Sequence, residues 1–196
     1  MDAKEIGILG RLAVSSLEKC LAKLSAVSAG TWRVDSISVS PATPGDAFKR
    51  HDFTNPAAAV YFNVEGEFPF ASVMLFDPQD IECISKCFLG YSFPGAPGLK
   101  QSEEAMLVEL GNIVLNSVVS AVSDGLKKIL TPTIPSYAHG DAGLIVEELG
   151  TVMDAEQRCR VIIIRLAIQC GGLVSTSELF GLIPEKLADE LERRSA

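Results

Sequence analysis

"VELGNIVLNSVVSAVSDGLKK", Val108 to Lys128, lines up with "KEIGILGRLAVSSLEKCLAKL", Lys4 to Leu24, when Glu109 is set over Glu5 and Gly111 over Gly7. Both stretches read as helices, and a match at half the chain length is the mark of a duplicated unit. A chance match between Ala/Ser/Leu-rich helices is the alternative. The neighbouring elements argue against chance. Residues 3–26 predict a helix, and "TWRVDSISVSP" alternates and ends in Pro41, so it predicts a strand. Residues 42–55 are polar and read as a loop. "AAAVYFNVEGEFPFASVMLF" predicts a hairpin turning near Glu65 to Glu67. In "DPQDIECISKCFLG" Asp77 can cap a helix, Pro78 suits its first position and Gly90 can end it.

Beyond the Pro/Gly connector "YSFPGAPG" the order returns. Residues 101–128 predict a long helix and "ILTPTIPSYA" a strand. "GLIVEELGTVMDAEQRCRVIIIRLAIQ" predicts a second hairpin turning at Asp154 to Gln157. Ser175 to Ser177 would cap a last helix, "ELFGLIPEKLADELERR", kinked at Pro184. The expectation is an α+β fold made of two pseudo-twofold halves of helix–strand–hairpin–helix, with helices packed on antiparallel sheet. The helices starting near Lys4 and Gln101 should be equivalent.

The 196 residues suit one domain or two fused halves, and 47% hydrophobic with 21% charged residues is an ordinary globular composition. A formal net charge of −8 argues against nucleic acid or anionic membrane as partner. No run of the roughly 18 uncharged apolar residues of a bilayer span stands out. "VIIIRLAIQC" is short and holds Arg165, and the N-terminus lacks the features of a signal peptide, so a cytoplasmic protein is expected. The five cysteines, Cys20, Cys83, Cys87, Cys159 and Cys170, read as buried thiols. With His51 and His139 the only histidines, no zinc site is expected.

On the long helix Ala105, Glu109, Asn112, Asn116, Ser120, Ser123 and Lys127 follow one another at steps of 4, 3, 4, 4, 3 and 4 and form one stripe. Around it the helix is mostly apolar, with Leu107, Val108, Leu110, Ile113, Val114, Leu115, Val118 and Val119. A plain solvent-facing stripe would carry Lys and Glu. Asn is a poor helix former, because its short side chain competes for backbone hydrogen bonds. Two of them in one stripe break a local rule, which makes function worth suspecting. Glu109 and Asn112 should be accessible together, with Val108 and Ile113 buried. No Ser–His–Asp or Cys–His set assembles around them, and Glu104, the nearest second acid, lies off the stripe. A carboxamide can orient a water by donating and accepting at once, and a carboxylate can clamp a partner's lysine. That pair suits an enzyme that lends parts to phosphoryl transfer housed in another protein.

"ELGN" at Glu109 to Asn112, followed after twenty-two residues by Pro135, resembles the signature of the CheC/CheX/FliY phosphatases of bacterial chemotaxis. That signature runs Asp or Ser, three residues, Glu, two residues, Asn, twenty-two residues, Pro. The resemblance implies a single CheC-like domain over 1–196, with a degenerate N-terminal half at about 1–92 and a motif-bearing half at about 99–196. It implies that Glu109 binds the lysine of a phosphorylated CheY-like receiver domain and that Asn112 aligns the attacking water. Pro135 would shape the adjoining loop. Asn116 is read as supporting the site from its place in the same stripe, not from the signature. The Mg²⁺ of the reaction belongs to the receiver, so no cofactor or metal is expected on this chain. The first motif position is Ala105 here. In the N-terminal copy Ile8 stands where the amide should be and the motif would begin at Met1, so Glu5 is read as a solvated residue. The alternative function is a non-catalytic scaffold of the same fold that docks receivers or flagellar-switch components. Dimerisation stays open.

Three other features carry less. "AHGDAGLIVEE", with His139, Asp141, Glu147 and Glu148, could suggest a metal site but reads better as a Gly-rich turn into a strand. Trp32 and Arg33 read as the start of a strand. In "CISKC" the spacing is not that of a thioredoxin motif, although Cys83 and Cys87 should face the same way on a helix.

Overall fold

Among the described residues six α-helices and six strands follow one another in a repeated order. In the computed structural model, which describes residues 7–51, 56–91, 100–150 and 153–195, α1 (Gly7–Val27), β1 (Thr31–Ala42), α2 (Pro44–Phe48), β2 (Ala57–Val64), β3 (Phe70–Phe76) and α3 (Ile81–Leu89) make up one half. The other half is α4 (Lys100–Leu126), β4 (Ser136–Gly140), α5 (Ala142–Gly150), β5 (Cys159–Cys170), β6 (Leu173–Pro184) and α6 (Glu185–Ser195). The six strands form one sheet in the order β1-β5-β6-β3-β2-β4, antiparallel at every step. Exchanging β1 with β4, β2 with β5 and β3 with β6 returns the same order read from the opposite edge. A pseudo-twofold axis therefore passes between β3 and β6. Each half lends its hairpin to the middle of the sheet and its single strand to the far edge.

Four local expectations give way. Within 42–55, Pro44–Phe48 is a short helix, because the Thr43 hydroxyl accepts the Asp46 N–H and Pro44 suits the first turn. Within 129–138 only Ser136 onward pairs with β2. Pro132 and Pro135 lack ladder donors, and the segment is held instead by a bridge from Pro132 to Val64 and by Thr133, which exchanges hydrogen bonds with Asn63.

The other two corrections concern the second hairpin. The Leu-Ile-Val run after Gly143 is helical: Asp141 caps α5 by accepting from Leu144 N–H, and Ile145 and Leu149, four apart, share its buried face. The true hairpin joins β5 to β6 across Gly171 and Gly172, whose φ of +57° and +85° suit a two-residue turn. Residues 173–184, expected as cap and helix, are thus a strand lying between β5 and β3. From Glu178 to Pro184 every residue is buried, so alternation disappears. Pro184 pairs with Cys159 beyond the reach of β3, where a missing N–H is tolerated, and the helix begins at Glu185. The connector motif "FPGAPG" and Glu5 lie outside the described residues.

The sheet has a core on each face. On one, α1, α3, α4 and α6 cover Val60, Phe62, Met74, Phe76, Ile162, Ile164 and Leu179. On the other, Phe48 of α2 and Ile145 and Leu149 of α5 cover Tyr61, Val73, Leu75, Val161, Phe180 and Leu182. The stretch Gln101–Leu126 of α4 is long and apolar enough, by length and composition, to cross a membrane, against the sequence expectation. Most of it is buried, and packing between sheet and neighbouring helices accounts for its apolar character. Trp32 is buried on the same face, with its indole N–H given to Ser28 Oγ at 2.9 Å.

α4 lies directly on the sheet at Gly111. A Cβ there would sit 2.6 Å from Val60 Cγ1 and 2.7 Å from Val60 Cβ. The Cβ of a buried strand residue cannot swing aside, so Gly111→Ala must shift the helix. Overpacking outweighs the better helix propensity of Ala, and we expect a net loss on the order of 1–2 kcal/mol, read from the urea midpoint.

On the opposite face Glu178 accepts from Arg165 Nη2 at 2.7 Å and from His51 Nδ1 at 2.5 Å, tying the end of α2 to β6. Burial pushes the Glu178 carboxyl up, but the hydrogen bonds and charges of His51 and Arg165 outweigh it, and its pKa falls below 4.5. A carboxyl lowered by folding stabilises the protein above its unfolded pKa, and that contribution is lost as pH falls through the folded value. Glu178→Gln should therefore lower stability at neutral pH and flatten its decline below about pH 4.5, the ordinary carboxyl range, as measured by denaturant titration at several pH values.

Candidate functional site

α4 turns one line outward and buries the face opposite it against the sheet. Leu107, Leu110, Val114 and Val118 are fully buried against the sheet, and this sets the rotation of the helix. Ala105 and Glu109 are exposed, and Asn112 and Asn116 are half-buried. Val108 and Ile113, expected to be buried, are also half-buried and flank the stripe. The Glu109 carboxylate has no hydrogen bond or ion pair with any described residue, which leaves it open to a partner.

The two Asn side chains are linked. Asn116 Nδ2 donates to the backbone oxygen of Asn112 and to Asn112 Oδ1, each at 2.8 Å. Ser120 Oγ donates to the backbone oxygen of Asn116 at 2.9 Å, so part of the polar stripe is bonded back onto its own helix. Asn112 Nδ2 has no partner among the described residues.

On one side of the stripe lies α1. It runs antiparallel to α4, since the Cys20 thiol donates to Ile113 O while Leu12 lies against Gly125. The groove between them, about 440 Å³, is lined from α1 by Ser16, Lys19 and Lys23 and from α4 by Asn116 and Ser120. The sequence reading gave these α1 residues no weight. The available signal was their spacing of three and four, which is shared with Asn116 and Ser120. Ile8 is half-buried and apolar.

After α4, Lys127 adopts φ +53°, and Lys127 and Lys128 N–H bond back to Asp124 and Ser123 in a helix-ending turn. The Lys128 ammonium pairs with Glu67 and stands over the Phe68 ring. Pro135 closes the segment 127–135, directly before Ser136 opposite Tyr61 on β2. The structure therefore joins Glu109, Asn112 and Asn116 on one helix face and puts Pro135 in the connection that follows that helix.

The remaining candidates separate from the stripe. A cleft of about 690 Å³ lies between Pro78–Ser85, the start of α4 and β4, and it contains Glu82, Glu103, Glu104, Tyr137 and His139. Burial and the nearby Glu104 and Glu103 push the Tyr137 phenol up. Asp141 caps α5 and Glu148 accepts from the Tyr61 hydroxyl, so these acids serve the fold. Among the described residues no three His, Cys, Asp or Glu side chains converge to hold a metal. Cys83 and Cys87 do face the same way, with sulfurs 4.0 Å apart, and Cys170 joins them from β5. Burial, followed by these two thiols, pushes the Cys87 thiol up and keeps it an unreactive core group. Cys159 is buried, while Cys20, Cys83 and Cys170 are only half-buried.

No protein-family model matches the chain, and no curated protein matches it. Solved structures do. FliY from Thermotoga maritima is similar over 99% of this chain and 96% of its own, with TM-score 0.70 and 15% identity. The FliM middle domain from H. pylori is similar over 99% of both chains, with TM-score 0.62 and 16% identity. A CheC-like superfamily protein from Shewanella is similar over 92% of this chain and 99% of its own, with TM-score 0.53 and 12% identity. The chain has the CheC-like fold these proteins share.

Proposed function

We propose that the chain is a phosphatase acting on the aspartyl phosphate of a CheY-like receiver domain, with one working site on the outer stripe of α4. One observation supports this most: Glu109 and Asn112 face outward together, the carboxylate and the amide Nδ2 without partners among the described residues. In this reading a receiver lays its phosphorylated aspartate over the stripe. Glu109 pairs with the receiver's lysine and fixes the docking geometry. Asn112 holds a water in line with the phosphorus. The water oxygen bonds to phosphorus, the bond from phosphorus to the aspartyl oxygen breaks, and inorganic phosphate leaves a free carboxylate. Positioning and charge placement supply the rate, so the chain needs no nucleophile. The Mg²⁺ that neutralises the phosphoryl group would sit on the receiver. The N-terminal half is then a degenerate partner, since Ile8 has no atom that can hold a water.

A second reading rests on Ala105 and on the comparisons. Ala105 cannot supply the Asp or Ser side chain of the motif, and a chain of a FliG–FliM complex from H. pylori is similar at TM-score 0.63. On that reading the stripe docks a receiver or switch component without turnover.

Receiver-phosphate lifetime separates the two. With the parent chain it should shorten. Asn112→Ala should slow turnover about a hundredfold or more, because a misplaced reacting group costs on that order, while binding to a beryllofluoride-loaded receiver is kept. Glu109→Ala should weaken that binding roughly tenfold or more as well as the rate, since a desolvated charge pair is worth about 2 kcal/mol or more. Equal phosphate lifetimes with parent and Asn112→Ala would leave the docking reading in its place.

Ala105 is exposed one turn before Glu109. A hydroxyl there could hydrogen-bond to the Glu109 carboxylate or to the partner. Ala105→Ser should raise turnover severalfold in the same lifetime assay, although Ser is the poorer helix former and thermal stability should fall slightly.

A further inference from the structure

The geometry points to Asn116 as a positioning residue that sets which end of the Asn112 carboxamide faces the partner, an inference that rests on the phosphatase reading of this site. The Asn112 backbone carbonyl is an acceptor of certain identity. A backbone carbonyl can only accept, so the Asn116 atom 2.8 Å from Asn112 O must be the amide nitrogen. The same nitrogen lies 2.8 Å from the Asn112 side chain. Two nitrogens would meet donor to donor, so the Asn112 atom on that side must be the oxygen. Asn112 therefore keeps Oδ1 toward Asn116 and turns Nδ2 away from it. A free surface asparagine would populate both flips. Here the backbone, through Asn116, selects one.

The chemical consequence follows from the donor count. Nδ2 carries two N–H groups, and neither has a partner among the described residues, so both are available to a phosphoryl oxygen or to the water oxygen. Oδ1 has a second lone pair left, which can take a proton of the same water. A donor already aimed where negative charge develops needs no reorganisation at the moment of reaction. The position is also a poor one for Asn on structural grounds, since Ala is the better helix former. Ser120, one turn on, bonds only to the backbone oxygen of Asn116 and does not reach Asn112. The positioning contact is therefore made by one side chain and can be removed alone.

Two substitutions and one spectrum test this. Asn116→Ala removes the donor. Asn116→Asp replaces it with an acceptor, which would draw Asn112 Nδ2 inward and invert the amide. Both should slow receiver dephosphorylation about tenfold or more, with unchanged affinity for a beryllofluoride-loaded receiver. Asn116→Ala should melt at the parent's temperature or above, which a merely structural role would not allow. In an Asn112→Ala background, Asn116→Asp should cost nothing more. Parent-like turnover by Asn116→Ala and Asn116→Asp would overturn the inference and leave the phosphatase reading standing. If the parent itself acts on no receiver, that reading falls, and side-chain amide NMR of the ¹⁵N-labelled protein decides the positioning separately. Slow solvent exchange of the Asn116 amide protons, with Asn112 resonances that move in Asn116→Asp, supports it. Free exchange of the Asn116 protons overturns it.

Discussion

The approach of Gly111 to Val60 governs what the outer face of α4 can present. Without a side chain at 111 the helix lies down on β2, and a single methyl would enter the space of a strand Cβ. Gly111 stands between Glu109 and Asn112 in sequence, about 200° round the helix from the first and about 100° from the second. Its contact with the sheet therefore fixes the rotation of the helix and turns the carboxylate and the amide outward. Leu107, Leu110, Val114 and Val118 lock that rotation from the same side. The motif glycine serves packing, and the packing aims the polar pair.

The duplication explains the architecture but not the site. Exchange of strand halves in the middle of the sheet means that neither half owns a complete core: β6 lies between β3 and β5, and α1 packs along α4. Such a frame keeps both central helices although, among the described residues, the acid and amide three apart stand on α4. Ile8 of α1 is half-buried and has no side-chain atom that can hold a water. The two helices then differ in what they show to solvent while doing the same work underneath. The groove between them takes Lys19 and Lys23 from one helix and Asn116 and Ser120 from the other, so its character comes from both halves.

Much of this was legible in the residues. Composition marked α1, the cap residues Asp77, Pro78 and Gly90 marked α3 and the 3.6-residue stripe marked α4, while the alternation in β1 and the turn residues of the first hairpin were sufficient for those strands. The stripe of Glu109, Asn112 and Asn116 could be placed on one face because helical spacing is a local property. The second hairpin was not legible in the same way. Its strand β6 is buried on both faces along Glu178–Pro184, so its apolar run carries no period that separates strand from helix. The Gly171–Gly172 turn was the available signal, and the Leu-Ile-Val run upstream drew the pairing away from it.

By itself the sequence determined the doubled order of elements, the rotation-defining apolar face of α4 and the acid–amide pair opposite it. These follow from spacing along one chain segment, where steric and hydrogen-bonding preferences act between near neighbours. Only the tertiary structure decided that the halves interleave their hairpins, that Cys170 meets Cys83 and Cys87, and that Glu178 holds both Arg165 and His51. It also decided the environment of the Asn112 amide, which is bonded to Asn116 on its oxygen side and open on its nitrogen side. Strand pairing and side-chain contact join residues far apart in the chain, or depend on rotamers set by burial. No periodicity encodes either, so they emerge only when the sheet and its two core helices are assembled.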